Sequence, residues 1–200
     1  MPQPLDFYFD FSSPYGYLAA EKINALAARH GRGVRWQAIL LGAVFKLNGQ
    51  QPLTEIPIKG DYSRHDMLRS ARWMDVPFRM PSRFPISTVA AARLFYWLDG
   101  QDAALAQNFA LAAYRAYFAE DRDISKTETV ADIAATFNID KAAALAAMND
   151  NTVKERTRSA VDAAIALGVF GSPYIVVDGE PFWGADRLEQ IDAWLSKGPW

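Results

Sequence analysis

The chain of 200 residues contains no cysteine. That absence excludes disulfides, thiolate metal sites, a cysteine nucleophile and a C-x-x-C redox pair. Histidine is nearly as scarce, with two residues. His30, His65 and the carboxylates show no metal-ligand spacing, so no metal is expected. A dominant charge is missing too: 21 Lys and Arg stand against 23 Asp and Glu, for a net charge of −2. A protein living on phosphate contacts is more basic than this, which sets nucleic acid aside as a partner. No apolar run approaches the ~20 residues needed to span a bilayer, so no membrane partner is expected. The stretch MPQPLDFYFDF has no basic start leading into an apolar run, so no signal peptide is read there and a cytoplasmic protein is expected. What is plentiful is core material. Half the residues are hydrophobic and 13% are aromatic, enough for one domain or for one core with a large insertion.

Residues 5–11, LDFYFDF, alternate Leu5, Phe7, Phe9 and Phe11 with Asp6, Tyr8 and Asp10, which predicts a strand. Ser13 as N-cap and Pro14 at the first helical position open a helix. Its apolar stripe is Tyr15, Leu18, Ala19, Ile23 and Leu26, and Gly31 is its stop. Residues 34–41 predict a second strand, reached by a right-handed parallel crossover. Gly42, Gly49, Pro52, Pro57 and Gly60 predict an irregular loop over 42–62, followed by a short helix over 62–75. Helical segments are then predicted near 87–98, 102–119, 128–137, 140–148 and 152–167. SPYIVVDG, 172–179, predicts a strand ending in an Asp-Gly hairpin turn, with EPFWG, 180–184, as its partner. Asp186 with Glu189 three residues on predicts a capping box for a last helix. The class is α/β. With the helical block removed, β-α-β and β-β-α form a thioredoxin-like fold, and a large helical insertion between the halves is DsbA-like. The expected domains are 1–42 plus 160–200 for the thioredoxin-like part and 43–159 for the insertion.

Three places carry possible chemistry. Ser13 stands at a helix N-terminus, where free N–H groups and the dipole favour an anion. It reads either as a helix cap or as a hydroxyl that donates to a bound thiolate. Without an adjacent base it is a poor nucleophile. Ser172-Pro173 directly precedes a strand, and reads either as an ordinary turn or as a cis proline that offers the preceding backbone to a peptide-like ligand. Asp186, in WGADRLE, either caps its own helix or binds an ammonium group.

DFYFDFSSPYGYLA, FGSPYIVVDGEPFWGADRLE and the helical block between them resemble the 2-hydroxychromene-2-carboxylate isomerases, relatives of the kappa-class glutathione transferases in the DsbA-like thioredoxin group. The resemblance spans essentially the whole chain and rests on F-D-F-x-S-P near the start and F-G-x-P with W-G-x-D-R near the end. It implies glutathione as cofactor and Ser13 as the catalytic residue. It also implies that Gly171, Ser172 and a cis Pro173 pair with the glutathione backbone. Trp183 and Asp186 fall on the W-G-x-D-R motif, with Asp186 at the γ-glutamyl end. PIKGDYSRHD is similar to the kappa-class lysine region and adds Lys59 and Asp66. NGQQP departs from the kappa-class Asn-Gln-Pro-Pro stretch, which leaves Asn48 or Gln50 as the contacting amide.

The implied reaction is the glutathione-dependent conversion of 2-hydroxychromene-2-carboxylate to trans-o-hydroxybenzylidenepyruvate, in aromatic catabolism, by a homodimer. An aromatic carboxylate substrate calls for an apolar wall and a cation, which Phe84, Trp73 and Arg83 offer if they are not core packing and solvated charge. Two alternatives stay open: a kappa-like transferase or peroxidase acting on other electrophiles, and a non-catalytic thiol- or peptide-binding module.

Overall fold

The alternating first segment forms strand β1 (Leu5–Phe9), and Ser13 and Pro14 start helix α1 (Pro14–Arg29) as their chemistry requires. The computed structural model describes residues 2–200. Strand β2 (Val34–Ala38) runs parallel to β1, with Phe7 opposite Trp36. Strand β3 (Tyr174–Val177) pairs antiparallel with the other edge of β1, and β4 (Glu180–Trp183) pairs antiparallel with β3. The order is β2-β1-β3-β4. The β3–β4 turn has positive φ at both Asp178 and Gly179, the geometry an Asp-Gly hairpin favours.

Between β2 and β3 lie α2 (Leu41–Asn48), α3 (Lys59–Trp73), α4 (Val89–Asp99), α5 (Ala103–Phe118), α6 (Thr127–Ala135), α7 (Lys141–Asn149) and α8 (Asn151–Ala166). The loop expected over 42–62 is largely structured. It holds α2, a 3-10 turn at Leu53–Glu55 and the start of α3. Gly42 sits within the first turn of α2, where no side chain is needed. Gly49, at φ 70°, is the left-handed cap that ends it. Helix α9 (Leu188–Lys197) closes the chain.

One face of the sheet presents Leu5, Phe7, Phe9, Ile175 and Val177 to the main core with α1, α4, α5 and α9. The other face is covered as well. Tyr8 and Tyr174 pack with Ile39, Ala164 and Val169 under α8. Aromatic rings continue the core from strand to helices: Phe9 to Phe11 at 5.2 Å, Phe11 to Tyr114 at 5.3 Å and Tyr17 to Phe118 at 5.6 Å between centroids. Among the described residues no helix is long and apolar enough to cross a membrane.

Candidate active site

Beyond β1 the chain turns sharply into α1, and that turn is held by a ring of hydrogen bonds. The Ser13 N–H donates to the Asp10 carbonyl at 2.9 Å. The Asp10 N–H donates to Ser172 Oγ at 2.9 Å. Ser13 Oγ donates to the Ser172 carbonyl at 2.7 Å and accepts from the Gly16 N–H at 2.9 Å. Ser13 is therefore the N-cap of α1, and the same hydroxyl binds it to the residue before Pro173. The Ser172–Pro173 peptide is cis, as is Phe84–Pro85.

The first turn of α1 leaves one amide over. Pro14 has no N–H, the Gly16 N–H is taken by Ser13 Oγ, and the Tyr17 N–H is taken by the Ser13 carbonyl. The Tyr15 N–H has no acceptor among the described residues. An orphan amide beside a serine hydroxyl at the positive end of a 16-residue helix is a place for an anionic atom.

Two residues of this site carry no strong local sequence signal. Asp10 is buried, although the alternation of β1 set it with Asp6 and Tyr8, away from Phe7 and Phe9. Its carboxylate accepts from the Ser12 N–H at 2.7 Å, the Thr88 hydroxyl at 2.9 Å and the Leu41 N–H at 2.5 Å. Burial pushes this carboxyl above its ordinary range, and those hydrogen bonds work against the rise. Tyr114 reaches in from α5 and donates to the Asp10 carbonyl at 2.7 Å. Burial, followed by the charge of Asp10, drives its hydroxyl far above the normal tyrosine value, so it stays a donor. An aspartate at the end of an apolar strand, just before Ser-Ser-Pro, was the available hint for Asp10. Tyr114 lies in an alanine-rich helix and had none.

Gly171, Ser172, Pro173 and Trp183 come together. A Cβ on Gly171 would lie 2.3 Å from Trp183 Nε1, so the indole covers that backbone directly. The Gly184 N–H returns to the Pro173 carbonyl at 3.1 Å. Asp186 does not cap α9. It sits in a separate 3-10 turn, Ala185–Arg187, and the N-cap of α9 is Arg187, with no side-chain capping bond. Its carboxylate is left 73% exposed, with Arg187 at 3.8 Å.

Asp66 reaches the site through Tyr15, whose hydroxyl donates to it at 2.6 Å. Arg69 and Ser70 also donate to Asp66. Burial raises this carboxyl, but the hydrogen bonds from Tyr15, Arg69 and Ser70 outweigh it and hold the group below the usual carboxylate range. Burial and then Asp66 raise the Tyr15 hydroxyl. Lys59 is the exposed first residue of α3. Asn48 ends α2, and its side chain accepts from the Gln50 N–H at 3.1 Å. No hydrogen bond joins either of them to the Ser13 ring among the described residues. Phe84 packs on the core near Phe118, and Arg83 is paired with Asp123 at 2.8 Å. Trp73 is exposed at the end of α3.

The sequence matches the family described as DSBA-like thioredoxin domain over residues 4–196. It is 32% identical over 197 residues to a 2-hydroxychromene-2-carboxylate isomerase of Sphingobium xenophagum, an alignment covering 98% of this chain and 99% of that protein. It is 28% identical over 210 residues to glutathione S-transferase kappa 2 of Caenorhabditis elegans, covering 96% of this chain and 93% of the relative. A solved structure of a 2-hydroxychromene-2-carboxylate isomerase superposes with a TM-score of 0.87 at 27% identity, over 96% of this chain and 94% of the other.

Proposed function

The chain belongs to the DsbA-like thioredoxin domain family and, within it, to the 2-hydroxychromene-2-carboxylate isomerases, and from that premise we propose that it is a glutathione-dependent isomerase. The substrate is 2-hydroxychromene-2-carboxylate and the product trans-o-hydroxybenzylidenepyruvate, as in aromatic catabolism. Glutathione, when bound, supplies a thiolate that adds reversibly to the conjugated ring, lets a carbon–carbon bond rotate and is regenerated.

The observation that carries this reading is the pairing of the Ser13 hydroxyl with the orphan Tyr15 N–H at the start of α1. The free amide can donate to a sulfur anion, and the serine hydroxyl beside it can do so once its own hydrogen bond to the Ser172 carbonyl is released. Lowering a free thiol from ~8.5 by two pKa units corresponds to about 2.7 kcal/mol, within the reach of a helix terminus plus a charge-assisted hydrogen bond. Gly171 and Ser172, with the turn at Pro173, hold the cofactor backbone, and Trp183 walls it. Asp186, its carboxylate largely exposed and only loosely paired with Arg187 at 3.8 Å, takes the ammonium of the γ-glutamyl end. Lys59 and Asn48 complete the rim, and Asp66 holds Tyr15 in place. A cytoplasmic location fits a cofactor that keeps that compartment reduced. The exposed apolar residues Leu47 of α2, Ile58 just before α3 and Trp73 at the end of α3 support a homodimer.

The test is a titration of glutathione into the wild type and Ser13→Ala, followed by ultraviolet thiolate absorbance against pH. A bound thiol with a lowered pKa in the wild type, raised in the variant, is the expected result. No bound thiol in either protein would sink the cofactor assignment. The kappa-class relative favours a second reading, transfer of glutathione to an electrophile. Mass spectrometry separates the two, because isomerisation returns free glutathione and transfer leaves it in the product.

A further inference from the structure

Ser13 has one proton, and in this structure that proton is committed. Its Oγ lies 2.7 Å from the Ser172 carbonyl. A carbonyl only accepts, so the hydroxyl is the donor. The accepting side of the same oxygen is filled by the Gly16 N–H at 2.9 Å. A hydroxyl placed this way has nothing to give to sulfur.

The side chain has no room to step aside. The Ser13 N–H is fixed on the Asp10 carbonyl, the Asp10 N–H on Ser172 Oγ, and the Tyr114 hydroxyl clamps the same Asp10 carbonyl. A methyl group added at Gly16 would already lie 2.7 Å from both Ser172 Oγ and the Tyr114 hydroxyl, so the packing carries no slack. What stays free is rotation of the O–H about the Cβ–Oγ bond. Turning it toward sulfur leaves the carbonyl of Ser172, a buried residue, without its donor, and an unpaired buried acceptor is unfavourable. A ligand that brings an N–H of its own to that carbonyl removes the penalty.

Resting on the glutathione site proposed above, we propose that Ser13 gives its proton to a bound thiolate in exchange for a ligand amide N–H at the Ser172 carbonyl. The Ser172 carbonyl then determines specificity at the activation step. Peptide thiols release the hydroxyl. Thiols of the same shape without that N–H bind but leave Ser13 turned away.

The experiment compares glutathione with its depsipeptide analogue, in which an ester oxygen replaces the N–H between the γ-glutamyl and cysteinyl parts. Each ligand is taken to saturation on the wild type and on Ser13→Ala, and the pKa of the bound thiol is read from thiolate absorbance. The small matched pair N-acetylcysteamine and 2-mercaptoethyl acetate reads the same difference if the ester binds too weakly. We expect Ser13→Ala to raise the pKa of bound glutathione by about one unit, the scale of one charge-assisted hydrogen bond. The pKa of the bound ester should move by less than about a third of that. Equal shifts for the amide and ester ligands would overturn the exchange while leaving the cofactor reading intact. A glutathione pKa no lower on the wild type than in solution would overturn both.

Discussion

At Gly171 and Gly16 a single added carbon tests the site in opposite ways. A Cβ on Gly171 meets the indole of Trp183, a residue 55% exposed whose ring has solvent rather than buried core to give way toward. Gly171→Ala should therefore cost under about 1 kcal/mol in urea denaturation. It should still weaken glutathione binding several-fold, because the wall over residues 171–173 is displaced. A Cβ on Gly16 meets Ser172 Oγ and the Tyr114 hydroxyl, both buried and both in the ring that holds Ser13. Gly16→Ala should cost about 1–3 kcal/mol, the scale of overpacking, and abolish the thiolate signal. Equal stability losses in the two variants would contradict this account. Ser13 and Pro173 were legible because each sits in a short motif with a local physical meaning, a cap and a strand-entry turn. Asp10 was not, because alternation within one strand says nothing of a helix arriving later to cover its second face. Here α2 and the start of α4 do so, through the Leu41 N–H and the Thr88 hydroxyl.

Element by element, segments with a clear period or a clear turn were readable, down to the four-residue strands β3 and β4, and segments whose glycines or acidic residues had two meanings were not. Strand β1, helix α1 and the Asp178–Gly179 hairpin follow from period and turn chemistry alone. Helix α2 did not, because two glycines in one short stretch read as breakers when one of them is its cap. The start of α9 was misplaced because a 3-10 turn comes between Asp186 and the helix. In the 3-10 turn before α3, Thr54 Oγ1 is buried with no hydrogen-bond partner among the described residues. Thr54→Val keeps the shape and removes the unpaired group, so its urea midpoint should rise, by roughly 1 kcal/mol. A lower midpoint would mean the hydroxyl has a partner after all. Helix α9 is tied to α1 through Asp192, which meets His30 at 2.7 Å and Arg29 at 2.9 Å. The hydrogen bond from His30, then that from Arg29, holds the Asp192 carboxyl below its ordinary value. Because the folded pKa is the lower one, the stabilisation is full above the unfolded value near ~3.9 and disappears as pH falls through the folded value. The pair is largely exposed, so the effect is small. Hydrogen exchange of α9 should quicken below about pH 4 relative to the strands, and Asp192→Asn should show that faster exchange already at neutral pH.

Taken whole, the molecule has one main core that both parts of the chain share, with a smaller cluster on the other face of the sheet. We propose that the thioredoxin-like part, 1–42 with 160–200, and the helical insertion, 43–159, unfold together. Residue 159 lies inside α8, so the two parts share that helix. The main core draws Phe9 from β1, Leu18 from α1, Phe95 from α4, Phe109 from α5, Ile175 from β3 and Ile191 from α9 into one cluster. Polar ties cross the same boundary. The Tyr96 hydroxyl of α4 donates to the Ala38 carbonyl at 2.7 Å, and Arg115 of α5 grips Glu21 of α1 with two bonds of 2.6 Å. Neither part can expose its half of this core without stripping the other, so far-ultraviolet circular dichroism and tryptophan fluorescence should trace one coincident urea transition. The proposed cofactor would then act on the whole. Glutathione at about one hundred times its Kd adds about 2.7 kcal/mol, which for a chain of this size corresponds to a Tm rise of roughly 5–10 °C. If the core is shared, both probes should rise by the same amount, even though the proposed ligand residues lie at the ends of the chain and on α2 and α3. A rise confined to one probe, or a urea curve in two steps, would show that the insertion folds as a separate unit. The Tyr114 clamp on the Asp10 carbonyl would then join two independent bodies at the serine instead of fixing it within one.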